Sequence, residues 1–295
     1  MNAQATGTFD AKSWDEKPYD EIAGGPKLTR GNMINAFSGD IEGEGQLEAL
    51  MAYRADGAIS FVGLERVAGC IGSRSGSFVL QHSGIFDLQH GTAQATWLVT
   101  PGSGAENLRG LYGEGGYVWN RQQHGLSTPF TLDYGFEPQD AQMVEAKNGV
   151  EQAYSQTGGL SLTRAKSTFE ITAWDQTPYD EPASGPQLAR ATVKKIFRGD
   201  LEGESTAELL MCQADDGAAG YVALERVVGR LGPRSGSFVV QHNAARGGAV
   251  SKAFWFVVPG SGTGELRGLR GEAEYRHDEH EASFTLDYAF EQEGE

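Results

Sequence analysis

The sequence predicts an all-β protein built as two tandem eight-stranded antiparallel barrels forming a pseudo-twofold pair. Three observations carry this expectation. Residues 62–82, VGLERVAGCIGSRSGSFVLQH, return as residues 222–242, VALERVVGRLGPRSGSFVVQH. Each copy breaks into about eight short apolar runs, and no long stretch repeats with the 3.6-residue period of a helix. The 41 glycines, with Asp and Ser, punctuate those runs as tight turns do. Closing such strands into barrels also removes sheet edges that would otherwise promote aggregation.

The duplication is extensive. Across residues 57–82 and 217–242, 17 of 26 aligned positions are identical. Trp14, Asp40 and Glu65 match Trp174, Asp200 and Glu225 at an offset of 160. Trp97 matches Trp255 at 158, and Asp133 matches Asp287 at 154. The second copy has therefore lost residues after His82 and after Tyr117. The chain divides into a first barrel (1–137), a linker (138–166) and a second barrel (167–295). Within the linker, AQMVEAKNGVEQAYS suits a short helix and TGGLS a flexible joint.

In the first copy the strands are expected at 7–14, 28–38, 41–54, 58–70, 77–83, 92–100, 108–119 and 128–137. Alternation assigns their faces. In LRGLRGEAEYRH, Arg270, Glu272, Glu274 and Arg276 face water, so Leu269, Gly271, Ala273 and Tyr275 face inward. In DIEGEGQLEALM, Ile41, Gly43, Gly45, Leu47, Ala49 and Met51 share one face, opposite Glu42, Glu44 and Glu48. Glycines on an inner face either turn a corner or leave room for a ligand. The strands AISFVGLERV and GSFVLQH are apolar on both faces, which predicts cover on both sides. The sister repeat is the ready partner; association of whole chains into a homo-oligomer is the alternative.

Bulk composition narrows the function. With 39% hydrophobic and 22% charged residues the chain is globular. Its net charge of −16 excludes nucleic acid and acidic membrane surfaces as natural partners. The two cysteines are not equivalent: Cys70 corresponds to Arg230, and Cys212 to Ala52, so no disulfide framework is written. No basic-then-apolar leader opens the sequence and no run suits a transmembrane helix, so a cytoplasmic location is expected.

After Trp97 the chain reads LVTPGSGAENLRGLYGEG, and after Trp255 FVVPGSGTGELRGLRGEA. This glycine-rich hairpin resembles that of the allene oxide cyclase and dirigent barrels. From the Trp14 segment through ERV.G..G.RSGSFV.QH to FTLDY.FE, each copy is similar to bacterial domains of the domain-of-unknown-function family 3224. The resemblance covers about 130 residues per copy. It implies an eight-stranded barrel with an interior cavity. Relatives in the wider superfamily bind apolar, often unsaturated molecules, and some steer their cyclisation. The tandem arrangement departs from the single-domain pattern of most members.

The duplicated charged residues are the catalytic candidates. A turn centred near Arg74 places Glu65 opposite His82 and Arg66 opposite Gln81; Glu225 and His242 repeat the pair. A carboxylate beside an imidazole suits general acid–base work, although a structural pair at the domain interface is the competing reading. Trp97 and Tyr117, with Trp255 and Tyr275, are candidates to stack on a flat ligand; the alternative is that they fill the barrels. Asn35 and its counterpart Lys195 are candidate polar contacts that would make the two pockets unequal. The PGSG loops lack the following helix and Lys of a phosphate cradle. The histidines are scattered except for HDEH (277–280), which reads as a solvated turn, so no metal is expected. No Gly-x-Ser-x-Gly elbow occurs in a strand-to-helix context.

Together these readings lead to the expectation of a cofactor-free cyclase or isomerase. Its substrate would be an apolar, conjugated, polyketide- or lipid-like intermediate held in a reactive fold. The alternative is a non-catalytic carrier of a small hydrophobic ligand.

Overall fold

The computed structural model describes residues 3–137, 161–247, 250–277 and 282–291. The linker helix proposed for 141–155 and most of the HDEH run lie outside them. Eight strands form the first barrel: β1 (Ala3–Asp20), β2 (Lys27–Gly39), β3 (Ile41–Tyr53), β4 (Ala58–Ile71), β5 (Arg74–Asp87), β6 (Thr92–Val99), β7 (Leu111–Asn120) and β8 (Ser127–Phe136). The second comprises β9 (Thr163–Asp180), β10 (Gln187–Gly199), β11 (Leu201–Gln213), β12 (Ala219–Leu231), β13 (Arg234–Gly247), β14 (Val250–Val257), β15 (Leu269–His277) and β16 (Ala282–Phe290). Every strand pairs antiparallel with its sequence neighbour, and β1–β8 and β9–β16 close the cylinders. Two tandem closed barrels are therefore the architecture.

The strands run longer than the apolar runs alone indicate. β1 continues past Trp14 to Asp20, with a register shift between Ala11 and Ser13 in its pairing with β2. Such a bulge adds local twist. Its last residues stay paired with β2, Asp20 opposite Leu28, while the Asp20 carboxylate reaches Arg226 of the other barrel.

The β4–β5 hairpin sets the register of the site. Gly72, at φ +56°, and Ser73 form a two-residue turn that pairs Ile71 with Arg74. A positive φ at the first turn position is natural for glycine and gives the tightest hairpin. Glu65 consequently pairs with Leu80, and His82 with Gly63, two residues away from the pairing expected above; Arg66 likewise pairs with Val79 rather than Gln81. A slip of two keeps the face, so Glu65 and His82 still point the same way, now on a diagonal.

Adjacent residues point to opposite faces, which explains why the motif carries four polar residues. Glu65 and His82 face inward. Arg66 and Gln81 face the sister barrel. The cluster Leu28, Leu50, Ala52, Val62, Leu64 and Val79 merges with Leu188, Leu210, Cys212, Val222, Leu224, Val239 and Val258 into one shared core. Arg66 pairs with Asp180 and donates to Pro186 O at 2.6 Å; Arg226 pairs with Asp20 and donates to Pro26 O at 2.6 Å. Arg190 grips Glu48 through two bonds of 2.6 and 2.8 Å, and Arg30 reaches Glu208 at 2.5 Å. Glu48, on the outward face of β3, is thus buried by the other copy rather than bathed in water. Burial at the same seam pushes the Cys212 thiol up to about 12. Both cysteines are free.

The barrels differ at one seam. β6 and β7 pair from Thr92↔Asn120 to Leu98↔Glu114, whereas among the described residues β14 and β15 share the single pair Phe256↔Glu272. No helix among the described residues is long and apolar enough to cross a membrane.

Candidate functional site

One half of the first barrel is solid. Phe9, Phe37, Val67, Phe78, Leu80, Trp97, Val99, Phe130 and Leu132 form its core. The other half is open, a chamber of about 460 Å³. Its wall includes Met33, Leu47, Ala49, Met51, Ile59, Phe61, Phe86, Trp119 and Leu126, and it reaches the loops that follow β3, β5 and β7. Two of those loops are the places where the first copy is longer in sequence than the second. The β7–β8 connection carries a helical turn, α1 (Arg121–His124), capped by the Asn120 side chain, and leads into the exposed Leu126. At the mouth, Glu16 accepts from Tyr53 Oη at 2.7 Å and from Trp14 Nε1 at 3.2 Å. Burial, then the Glu16 bond, raises the Tyr53 phenol to about 12.

The chamber floor holds the predicted polar residues. Asn35 and His82 line it directly, as does Tyr117. Glu65, fully buried, lies beneath them: Asn35 Nδ2 donates to its Oε1 at 2.6 Å, and His82 Nε2 lies 2.9 Å from Oε2. That second contact is close in distance yet outside hydrogen-bond geometry, so Oε2 and Nε2 both lack a proper partner, as does Asn35 Oδ1. Trp97 does not line the chamber. It sits behind the imidazole and donates its indole N–H to His82 Nδ1 at 2.9 Å. That bond assigns the ring proton to Nε2, facing Glu65. Because an indole N–H cannot accept a proton, Nδ1 is unavailable as a base, and the carboxylate is the only base in the group.

Glu65 folds its carboxylate against a glycine of β3. A Cβ on Gly45 would lie 2.1 Å from Glu65 Oε1 and 2.7 Å from the Phe37 ring. The second copy has Ser205 there.

The same level of the second barrel is arranged differently. Glu225 accepts from Lys195 Nζ at 2.7 Å, from Ser205 Oγ at 2.5 Å and from Tyr275 Oη at 2.9 Å. His242 Nε2 is 3.3 Å away. Burial alone would raise the Glu225 carboxyl, but the Lys195 ammonium overrides it and holds the group well below the usual carboxylate range. His242 is driven the other way: burial lowers its pKa and favours the neutral ring. Burial also raises the Tyr275 and Tyr221 phenols. Trp255 stacks on His242 at 4.4 Å and lies 4.3 Å from Tyr275, while Tyr221 takes the position of Phe61 and reaches His242 Nδ1 at 3.5 Å. No Trp255-to-His242 bond mirrors that of Trp97.

All ten candidate residues therefore converge on the barrel interiors, in two sets of five. Sequence reasoning missed the chamber wall (Met33, Phe61, Phe86 and Trp119) and Ser205 and Tyr221. The signal was present. Counting in twos along each strand from Asn35, Glu65, His82 or Tyr117 lands on Met33, Phe61, Phe86 and Trp119. Among the described residues, no group of three or more His, Cys, Asp or Glu side chains clusters as metal ligands would.

Two closed barrels in tandem, one of them with an apolar chamber over a buried carboxylate, define the class. The chain belongs to the family described as Protein of unknown function (DUF3224), which matches residues 5–134 and 165–288, one span in each barrel. No curated protein matches it. A solved structure from Shewanella oneidensis MR-1, a protein of unknown function from the same family, is 35% identical to this chain. That alignment covers 45% of this chain and 99% of the other, with a TM-score of 0.40.

Proposed function

We propose that the first barrel is a receptor for an apolar small molecule and that the second is its structural mate. The observation that carries this reading is the chamber itself. A volume of about 460 Å³ falls within the range of sites that take drug-sized ligands. Its wall is aliphatic, aromatic and methionine-rich, and polar groups are confined to the floor and the rim. Phe86 and Trp119, stacked at 5.9 Å and 23°, offer a flat surface suited to a conjugated body. The Trp119 Nε1 donor is buried and unpartnered, available to an acceptor near the mouth.

The reading is tested by titrating the whole chain with an environment-sensitive apolar dye. Saturable binding is expected, and Ala49→Trp, which fills the chamber from its wall, should abolish it while circular dichroism is retained. Equal binding by the variant would overturn the proposal.

A second reading, cofactor-free isomerisation or cyclisation, is favoured by the buried Glu65–His82 couple under the floor. In it the Glu65 carboxylate would take a proton from a bound substrate once the Asn35 amide yields, and return it at another carbon; bonds and charge then balance without a co-reactant. Solvent deuterium incorporated into recovered polyene or epoxide substrates, and lost in Glu65→Gln, would support it. Recovery of unlabelled, unchanged substrate would leave the barrel a carrier.

A further inference from the structure

In the second barrel the Lys195 ammonium sits in a corner made by three groups. It bonds to Glu225 at 2.7 Å, lies 4.6 Å from the centre of the Tyr275 ring and 5.6 Å from that of Phe169. Carboxylate and ring faces are both favourable surroundings for a cation.

The first barrel builds the same corner and leaves out the cation. Phe9 and Tyr117 meet with ring centres 5.3 Å apart at 73°; Phe169 and Tyr275 meet at 5.3 Å and 66°. Glu65 stands where Glu225 does. The position of Lys195 belongs to Asn35, a shorter and uncharged side chain. Among the described residues no Lys or Arg lines the chamber, and the one charged lining residue is Glu16 at the mouth. Phe9, Asn35 and Tyr117 all border the open space. Two buried acceptors in the corner, Asn35 Oδ1 and Glu65 Oε2, have no hydrogen-bond donor. Asn35 is 1% exposed.

We propose that the ligand of the first barrel is an apolar amine in its protonated form, an ammonium group carried on an aromatic or alkyl body. The ammonium seats between Phe9 and Tyr117, donates to Asn35 Oδ1, and supplies the positive charge that Glu65 lacks. The apolar body fills the chamber towards Phe86 and Trp119. Lys195 is then the second barrel's tethered version of the same ligand, which is why that barrel needs no visitor. This rests on the reading of the first barrel as a receptor and adds the sign of the charge and the donor that it selects. A carboxylate ligand would set like charges together in a poorly solvated space; an alcohol supplies a donor without the charge.

The test uses the whole chain and three probes of one shape: 3-phenylpropylamine, 3-phenylpropan-1-ol and 3-phenylpropanoate, titrated by calorimetry at pH 7. The amine should bind about tenfold more tightly than the alcohol, a preference of the size that a desolvated cation on aromatic faces provides, and the carboxylate should not bind. In Glu65→Gln the preference for the amine should vanish, with binding of the apolar dye reporting that the barrel is still folded. Asn35→Lys, which gives the first corner its own ammonium, should abolish amine binding. Alcohol or carboxylate binding as tight as that of the amine would overturn the inference, as would an amine preference that survives Glu65→Gln. If the dye binds and the amine shows no preference, this inference alone fails; if the dye does not bind either, the receptor reading fails with it.

Discussion

Glu65 and Glu225 occupy one position in two copies of one fold, and their surroundings have diverged. Glu225 is fully furnished with a lysine, a serine and a tyrosine, and its charge is answered within the chain. Glu65 accepts from the Asn35 amide and has an imidazole held off line, under an apolar chamber. A buried carboxylate needs compensation. One barrel supplies it from its own sequence; in the other, two buried acceptors, Asn35 Oδ1 and Glu65 Oε2, have no hydrogen-bond donor. The two copies thus keep the same carboxylate in one fold while surrounding it differently.

Exchanging the features that differ should break or sharpen this contrast. The largest effect is expected from Lys195→Met. It strands Glu225 as a buried unpaired charge and should cost about 3–5 kcal/mol in urea unfolding. Asn35→Leu, the matching change in the first barrel, should cost about 1.5–3 kcal/mol, the usual worth of a hydrogen bond to a charged group. Equal losses would erase the asymmetry.

Next in size is Gly45→Ser, which carries the second copy's residue into the first. The new Cβ collides with the Glu65 carboxylate, and overpacking of this kind costs about 1–3 kcal/mol. Combined with Asn35→Lys it should be partly rescued, because the pair recreates the arrangement around Glu225. A double-mutant cycle should then show a coupling of about 0.5–3 kcal/mol; strict additivity would mean that the two positions do not act together.

Acid behaviour should also separate the copies. The folded Glu225 carboxyl lies below its unfolded value of about 4.3, so the stability it contributes is complete above that pH and is lost as the pH falls through the lower folded value. Glu225→Gln should flatten the stability profile in that acidic window and leave it unchanged in slope near neutrality. A profile that keeps its slope would place the depressed carboxyl elsewhere.

The smallest effect concerns the rims. Arg164 holds Asp287 with bonds of 2.7 and 2.6 Å, where the first copy has Gln4 on Asp133 at 2.9 Å. Arg164→Gln converts one into the other on an exposed surface and should change stability by less than about 1 kcal/mol.

Much of this was legible in the sequence, for identifiable reasons. The repeat exposed the two barrels, and period-2 alternation placed Tyr275, Leu47 and Ala49 inward. The difference between Asn35 and Lys195 is plain in the sequence, and the structure places the two side chains on the paired glutamates. Registry was harder: the length of the turn at Gly72 decides which residues face each other, and an error of two residues there moved His82 from opposite Glu65 to a diagonal. The sequence leaves Trp97 open between stacking on a ligand and filling the barrel, because nothing in a sequence tells a side chain behind a histidine from one in front of it. An interior cavity follows from the family resemblance, but which half of the barrel stays open does not, because it depends on how far Phe9, Phe37, Trp97 and Phe130 pack across the interior.

The most direct test of the account is the stoichiometry of apolar dye binding, read by native mass spectrometry and calorimetry on the intact chain. One molecule per chain is predicted, lost in Ala49→Trp and kept in Leu209→Trp, the corresponding change in the second barrel. Two equivalent sites per chain, or a single site lost in Leu209→Trp and retained in Ala49→Trp, would contradict it.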